Sequence, residues 1–204
     1  MTAHPNKEKL AYDKKKLRHK YRLLRQQLPP NTQKLHAQKL AAQLNKLKGF
    51  IQATHVGIYQ ASDGEISCDA ITQHSSKRFY LPKVLFHPKR SLVFTLRQGR
   101  KPITKNRYGI PEMSRPTLRP IRQLDCILMP LVAFDETGHR LGMGGGFYDR
   151  SLLFKAGKHS SKKPLLIGLA HECQKASALP KEPWDIGLDW LVTEKQIYHF
   201  SYRP

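Results

Sequence analysis

Residues 126–153 read CILMPLVAFDETGHRLGMGGGFYDRSLL, and the organisation of the chain follows from this stretch. The apolar run Cys126–Phe134 has the short length of a buried strand, with Pro130 near its middle. A polar turn follows at Asp135-Glu136-Thr137-Gly138. Then come Arg140, a glycine cluster (Gly142, Gly144, Gly145, Gly146) and the acid–base pair Asp149-Arg150, with Ser151–Lys155 continuing as helix. Clustered glycines mark backbone that turns sharply or lies against something. Amide N–H groups without side-chain cover can face an anion, and a helix N-terminus behind them adds a favourable dipole. Arg140 at one edge and Asp149 at the other supply a phosphate clamp and a Mg²⁺ ligand. The block is neither a G-x-x-x-x-G-K-[ST] phosphate loop nor a G-x-G-x-x-G fingerprint, because no Lys-Ser/Thr follows and Phe147 occupies the third glycine position. On composition alone, a flexible strand-to-helix turn explains it equally well.

Upstream, residues 7–50 read as helices. Leu10, Leu17, Tyr21, Leu24 and Leu28 recur at helical spacing. Pro29-Pro30 ends the first helix, Asn31-Thr32 can cap the next, and that helix should run from Gln33 to about Leu47 with Gly49 as its stop. Lys14 and Arg18 lie four apart on one side and can together grip a phosphate; a solvated basic face is the plainer explanation. The segment 54–59 (THVGIY) is a strand, 61–64 a turn, and a helix starts near Cys68. Glu65 falls between that strand and that helix, where α/β proteins bind ligands, although an acid in a first helical turn needs no further reason.

Residues 79–84 and 91–96 read as further strands, with a basic turn between them. Residues 101–120, rich in proline and without a period, read as loop. Leu165–Ala170 is a candidate central strand. His171-Glu172-Cys173 lacks the second histidine of H-E-x-x-H, so no zinc is assigned to it. Asp185 and Asp189 stand four apart before a last strand that follows Trp190.

The Arg-Leu-Gly-x-Gly-x-Gly-aromatic-Tyr-Asp string at 140–149, after Pro-x-x-Ala-Phe-Asp at 130–135 and Gly138, resembles the signature of the 5-formyltetrahydrofolate cyclo-ligase (methenyltetrahydrofolate synthetase) family. The resemblance covers most of the chain. It implies ATP contacts from Lys14, Arg18, Arg140, the four glycines and Tyr148, with Arg140 catalytic. It implies folate contacts from Tyr59, Glu65, Tyr108 (in Tyr108-Gly109-Ile110-Pro111), Met143 and Phe147, the last standing where many members have tyrosine. Glu65 would hold the pterin by paired hydrogen bonds. Asp149 and Asp185, the latter a better match than Asp189, would bind Mg²⁺. The implied reaction converts 5-formyltetrahydrofolate and ATP into 5,10-methenyltetrahydrofolate, ADP and phosphate.

Bulk composition is compatible with this. At 204 residues the chain is long enough for one α/β domain. Strands alternating with helical patterns predict a three-layer, mostly parallel sheet with helices on both faces, preceded by a basic helical arm over residues 1–50; the resemblance implies a fold similar to the NagB/ribose-5-phosphate isomerase type. Cys68, Cys126 and Cys173 are odd in number and far apart, which argues against a disulfide or zinc framework. With no apolar signal region or membrane-length segment, a cytoplasmic location without membrane contact is expected. Lysine and arginine total 36 against 15 acids, a formal +21. That charge attracts anions, from ATP and a polyglutamylated folate to nucleic acid, and does not choose among them. An RNA- or ribosome-associated protein, or an ATP-dependent ligase for a non-folate substrate, are the alternatives.

Overall fold

A computed structural model describes residues 5–73, 75–85, 91–97, 104–105, 111–112, 117–156 and 163–200. Tyr108 and the basic turn at 86–90 lie outside them. In chain order the elements are α1 (Pro5–Gln26), α2 (Pro30–Leu44), α3 (Lys48–Ile51), β1 (His55–Gly57), α4 (Asp69–Thr72), β2 (Arg78–Leu85), β3 (Ser91–Leu96), β4 (Thr104–Lys105), β5 (Pro111–Glu112) and β6 (Leu118–Pro120). They continue with β7 (Cys126–Pro130), β8 (Ala133–Phe134), β9 (Arg140–Leu141), α5 (Phe147–Leu152), β10 (Leu165–Leu169), β11 (Trp190–Val192) and β12 (Ile197–His199).

Among the described residues the main sheet has eight strands, in the order β12-β11-β10-β7-β1-β2-β3-β6. The run from β11 to β2 is parallel, and antiparallel pairs extend it at both edges. This is the expected α/β, mostly parallel arrangement. β7 shows why both faces are covered. Cys126 and Leu128 point into one core with Leu40, Leu44 and Phe50, while Ile127 and Met129 point into another with Leu152 and Leu188. All four strand residues are fully buried, as a strand sandwiched between two layers requires.

Several boundaries differ from the sequence expectation. The run Cys126–Phe134 is not one strand. β7 ends at Pro130, which has no N–H to continue a ladder, and Ala133–Phe134 instead pairs with Arg140–Leu141 in a small hairpin. α2 starts at Pro30 without a side-chain cap and ends at Leu44; Gly49 does not terminate it but sits inside α3. The segment 101–120 is not all loop, since β4 pairs with β5 and β6 joins β3. A further strand, β12, follows the one expected to be last.

The chain turns in opposite directions from the centre of the sheet. From β1 it passes to β2 on one side; from β7 it passes to β10 and β11 on the other. The crevice outside the carboxyl ends of β1 and β7 is therefore the switch point where sheets of this class bind ligands. The turn carrying Glu65 follows β1, and the glycine block follows β7. No helix among the described residues is long and apolar enough to cross a membrane.

Candidate functional site

The rim of the crevice is held by Asp135 at the tip of the β8–β9 hairpin. Its buried carboxylate accepts from the amides of Thr137, His139 and Leu179 and from the Thr137 hydroxyl. The polar turn read from sequence is thus an internally bonded bracket, and it sends β9 back toward the crevice. From β9, Arg140 reaches inward with only 6% of its side chain exposed, donating to Asp149 Oδ1 at 2.7 Å and to the Ile186 carbonyl at 2.6 Å.

The loop Gly142–Gly145 is exposed. Gly144 has φ +96° and Gly146, the cap of α5, φ +61°, a region that side-chain-bearing residues avoid. Two arginines brace it from outside. Arg18 Nε donates to Gly142 O at 2.8 Å and Arg150 Nη2 to Gly145 O at 2.6 Å. With these carbonyls engaged, none of the amides of Gly142–Gly145 donates to another described residue, so N–H groups remain for an external acceptor. α5 has six residues, so its dipole adds less than the sequence reading assumed. Burial lowers the pKa of Arg18, partly opposed by Asp185.

α1 crosses in front of this loop. Lys14 Nζ lies 2.9 Å from Asp185 Oδ2, which also accepts from the Glu182 amide. Asp185 and Asp149 are adjacent through the chain, since the Ile186 amide approaches Asp149 Oδ1 at 3.3 Å. Asp189 is occupied elsewhere, accepting from the Leu166 amide at 2.7 Å within the sheet. Of the two acids it is therefore Asp185 that faces the crevice. Each site carboxylate bonds through one oxygen while the other has no hydrogen bond among the described residues. Two hard oxygen donors with free lone pairs suit Mg²⁺.

Across the crevice, Glu65 Oε2 accepts from the Ser62 amide at 3.1 Å. Its side chain is 11% exposed, with the Arg25 guanidinium 3.9 Å from Oε1. Burial raises its pKa, opposed by the Ser62 bonds and Arg25. Tyr59 forms the wall behind it, but its hydroxyl already donates to Ile66 O at 2.7 Å, so its contribution is shape. Tyr148 differs. Its hydroxyl is buried without a partner among the described residues, and its pKa is raised by burial and by Glu65, with Arg140 opposing. A buried phenol without a partner costs stability unless something completes it. Phe147 packs on the core beneath the loop under the Arg150 guanidinium, and Met143 projects with 54% exposure. The structure thus brings Lys14, Arg18, Arg140, the glycines, Asp149 and Asp185 together on one side and Tyr59 and Glu65 on the other, with Tyr148 between them; Phe147 packs beneath the loop and Met143 projects from it.

Sequence reading missed the anchor of this crevice. Arg25 is fully buried, whereas Leu24, assigned to the inward face of α1, is exposed. Arg25 donates to Asp63 O (2.8 Å), Asp63 Oδ2 (2.6 Å) and Leu131 O (3.0 Å). Arg22 grips the same carboxylate through both oxygens and Gln26 bonds it as well. Asp63, at φ +54°, thereby fixes the turn that presents Glu65. The one signal in the sequence is the spacing from Leu17 and Tyr21 to position 25, which a hydrophobic pattern passes over because that residue is an arginine.

Residues 11–194 match the profile of the 5-formyltetrahydrofolate cyclo-ligase family. The chain is similar to 5-formyltetrahydrofolate cyclo-ligase of Haemophilus influenzae, at 36% identity over 187 residues, 82% of this chain and 97% of that one. The Escherichia coli (strain K12) protein of that name is 34% identical over 183 residues, 86% of this chain and 97% of its own. Among solved structures, 5,10-methenyltetrahydrofolate synthetase of Aquifex aeolicus superposes with a TM-score of 0.76 at 28% identity, covering 94% of each chain.

Proposed function

The chain belongs to the 5-formyltetrahydrofolate cyclo-ligase family, and from that premise we propose that it closes 5-formyltetrahydrofolate to 5,10-methenyltetrahydrofolate at the expense of Mg²⁺·ATP. The formyl oxygen must become a leaving group before the neighbouring nitrogen can displace it. ATP achieves this by phosphorylating that oxygen with loss of ADP. The second folate nitrogen then attacks the iminium carbon, and phosphate departs with the oxygen.

Little covalent chemistry is asked of the protein in such a transfer; it must position two substrates and stabilise phosphate charge. Lys14 and Arg18 from α1 and Arg140 from β9 supply the cations, and the amides of Gly142–Gly145 add donors for phosphate oxygens. Asp149 and Asp185 would hold Mg²⁺, which when bound supplies positive charge to the phosphates. Lys14 and Arg140 neutralise these same carboxylates, so a bound nucleotide would exchange partners, drawing the cations to phosphate and leaving Asp149 and Asp185 for the metal they would hold. Glu65 accepts the pterin's N–H groups, which requires its ionised form. Tyr148, from the glycine block, provides a hydroxyl where the two halves meet.

The observation that carries this reading is the Tyr148 hydroxyl, buried with no partner among the described residues and within the electrostatic reach of both Glu65 and Arg140. It joins a phosphate-binding side to a pterin-binding side in one crevice. Turnover is tested with purified protein by the absorbance of methenyltetrahydrofolate. The expected rise requires 5-formyltetrahydrofolate, ATP and Mg²⁺ together and stops on chelation; a rise without ATP, or none with all three, contradicts the proposal.

A further inference from the structure

Away from the glycine block, α2 meets the carboxyl ends of β10 and β11 through three side chains with no part in the reaction above. His36 lies on α2, His171 directly after β10, and Glu194 directly after β11. His36 Nδ1 and His171 Nδ1 are 3.0 Å apart, and Glu194 Oε1 is 3.7 Å from His36 Nδ1. One donor atom from each lies within 4.8 Å of the other two. His171 is fully buried, and the side chains of His36 and Glu194 are 18% and 7% exposed.

Two imidazole nitrogens this close cannot face each other with bare lone pairs; a proton or a cation must lie between them. The His171 ring lies in the core, and a neutral imidazole is the form that ligates metal. Its other nitrogen, Nε2, is buried without a proper hydrogen bond, although the Gly64 backbone lies alongside and favours a proton on the ring. A metal-bound histidine has the same arrangement, with one nitrogen on the ion and the other's N–H toward a backbone carbonyl. Tetrahedral zinc with Zn–N bonds of about 2.0–2.1 Å places its donors roughly 3.3 Å apart. The observed spacing needs only a small outward shift of half-buried His36.

We propose that His36, His171 and Glu194 form a binding site for a borderline divalent transition metal of the zinc class, tying α2 to the carboxyl edge of the sheet. Two imidazoles and one carboxylate suit Zn²⁺ or Co²⁺ and are a poor set for Mg²⁺, which prefers oxygen. The site is thereby chemically separate from Asp149 and Asp185. Glu194 is oriented by the Glu172 amide, which donates to its Oε2 at 3.0 Å, leaving Oε1 toward His36. With three protein ligands, a tetrahedral ion would keep a fourth position for water.

The test titrates untagged, chelator-stripped protein with Co²⁺ and then Zn²⁺. One equivalent of Co²⁺ should give the intense visible bands of a tetrahedral site; Zn²⁺ should abolish them and raise Tm, while Mg²⁺ leaves them unchanged. Because replacing buried His171 can unfold the chain, the deciding variant is His36→Gln, with Glu194→Gln beside it. Each should keep the circular dichroism of the parent and bind Co²⁺ at least ~10-fold more weakly, the smallest loss seen even for an outer-shell partner. A spectrum like that of aqueous Co²⁺, or affinity unchanged in His36→Gln, would overturn the assignment and leave a hydrogen-bonded histidine pair only.

Discussion

Helix α1 makes ion pairs at two places, and they differ in kind. Toward its amino end, Lys14 and Arg18 meet Asp185 and the glycine loop, where the carboxylates are about a quarter exposed and hold a lone pair free. Toward its carboxyl end, Arg22, Arg25 and Gln26 surround Asp63, and Arg25 has no exposure and no spare donor geometry. The first set can exchange partners with an incoming anion. The second is fully satisfied, so its removal leaves uncompensated charge rather than an opening for a ligand. Satisfaction, more than charge count, separates the working face of this basic helix from its structural face.

The largest effect should come from the structural end. Arg25→Ala takes one of three partners from the Asp63 carboxylate and leaves the Asp63 and Leu131 carbonyls a donor short, and the loss of one partner of a buried pair costs about 3–5 kcal/mol. Urea denaturation should show it, and a change below 1 kcal/mol would mean the anchor behaves as a surface pair. At the working end, Arg140→Ala should lower kcat by roughly 10²- to 10³-fold, the scale of one lost transition-state donor. Its urea midpoint should move less than that of Arg25→Ala; the opposite ranking breaks the distinction.

Glu65 links the two ends and predicts a smaller effect. Losing a hydrogen bond to a charged group costs about 1.5–3 kcal/mol, so Glu65→Gln should raise the folate KM by about 10- to 100-fold with kcat less affected. Because burial raises the Glu65 pKa, folate KM in the parent should also rise as pH falls, beginning at a pH above an ordinary glutamate's range. A KM flat through that range would mean that Glu65 does not bind as the anion.

The smallest effect is in acid. Arg22, and then Arg25, hold the Asp63 carboxyl far below the usual aspartate range. A depressed folded-state pKa stabilises fully above the unfolded value of about 4, and that contribution is lost as pH falls below it. The parent should therefore lose more stability between neutral pH and pH ~3 than Asp63→Asn, which keeps the left-handed turn. Equal losses would place the acid sensitivity elsewhere.

Much of this was legible in the sequence where local chemistry dictated local structure. The glycine block, its flanking Arg140 and Asp149, and the alternation of strand and helix announced both crevice and sheet. Tertiary context overrode the rest. Hydrophobicity favoured Leu24 over Arg25 because periodicity cannot foresee an arginine whose three side-chain nitrogens each find a partner inside the protein. The apolar run through Phe134 looked continuous because Pro130 ends a ladder without interrupting hydrophobicity. β12, only three residues long, carries too little pattern to be read. His36 and His171, 135 positions apart, become neighbours only when α2 packs on the sheet.

The central claim is that the exposed main chain of Gly142–Gly145 receives a nucleotide's phosphates. The most direct measurement is the Kd of a non-hydrolysable ATP analogue with Mg²⁺ in the parent and in Gly144→Ala. At φ +96° a Cβ strains the loop, with the Arg18 guanidinium at an ordinary contact distance of 3.5 Å, so affinity should fall by roughly 10-fold or more as the loop leaves this conformation, with only a modest fall in the urea midpoint. An unchanged Kd would contradict the account.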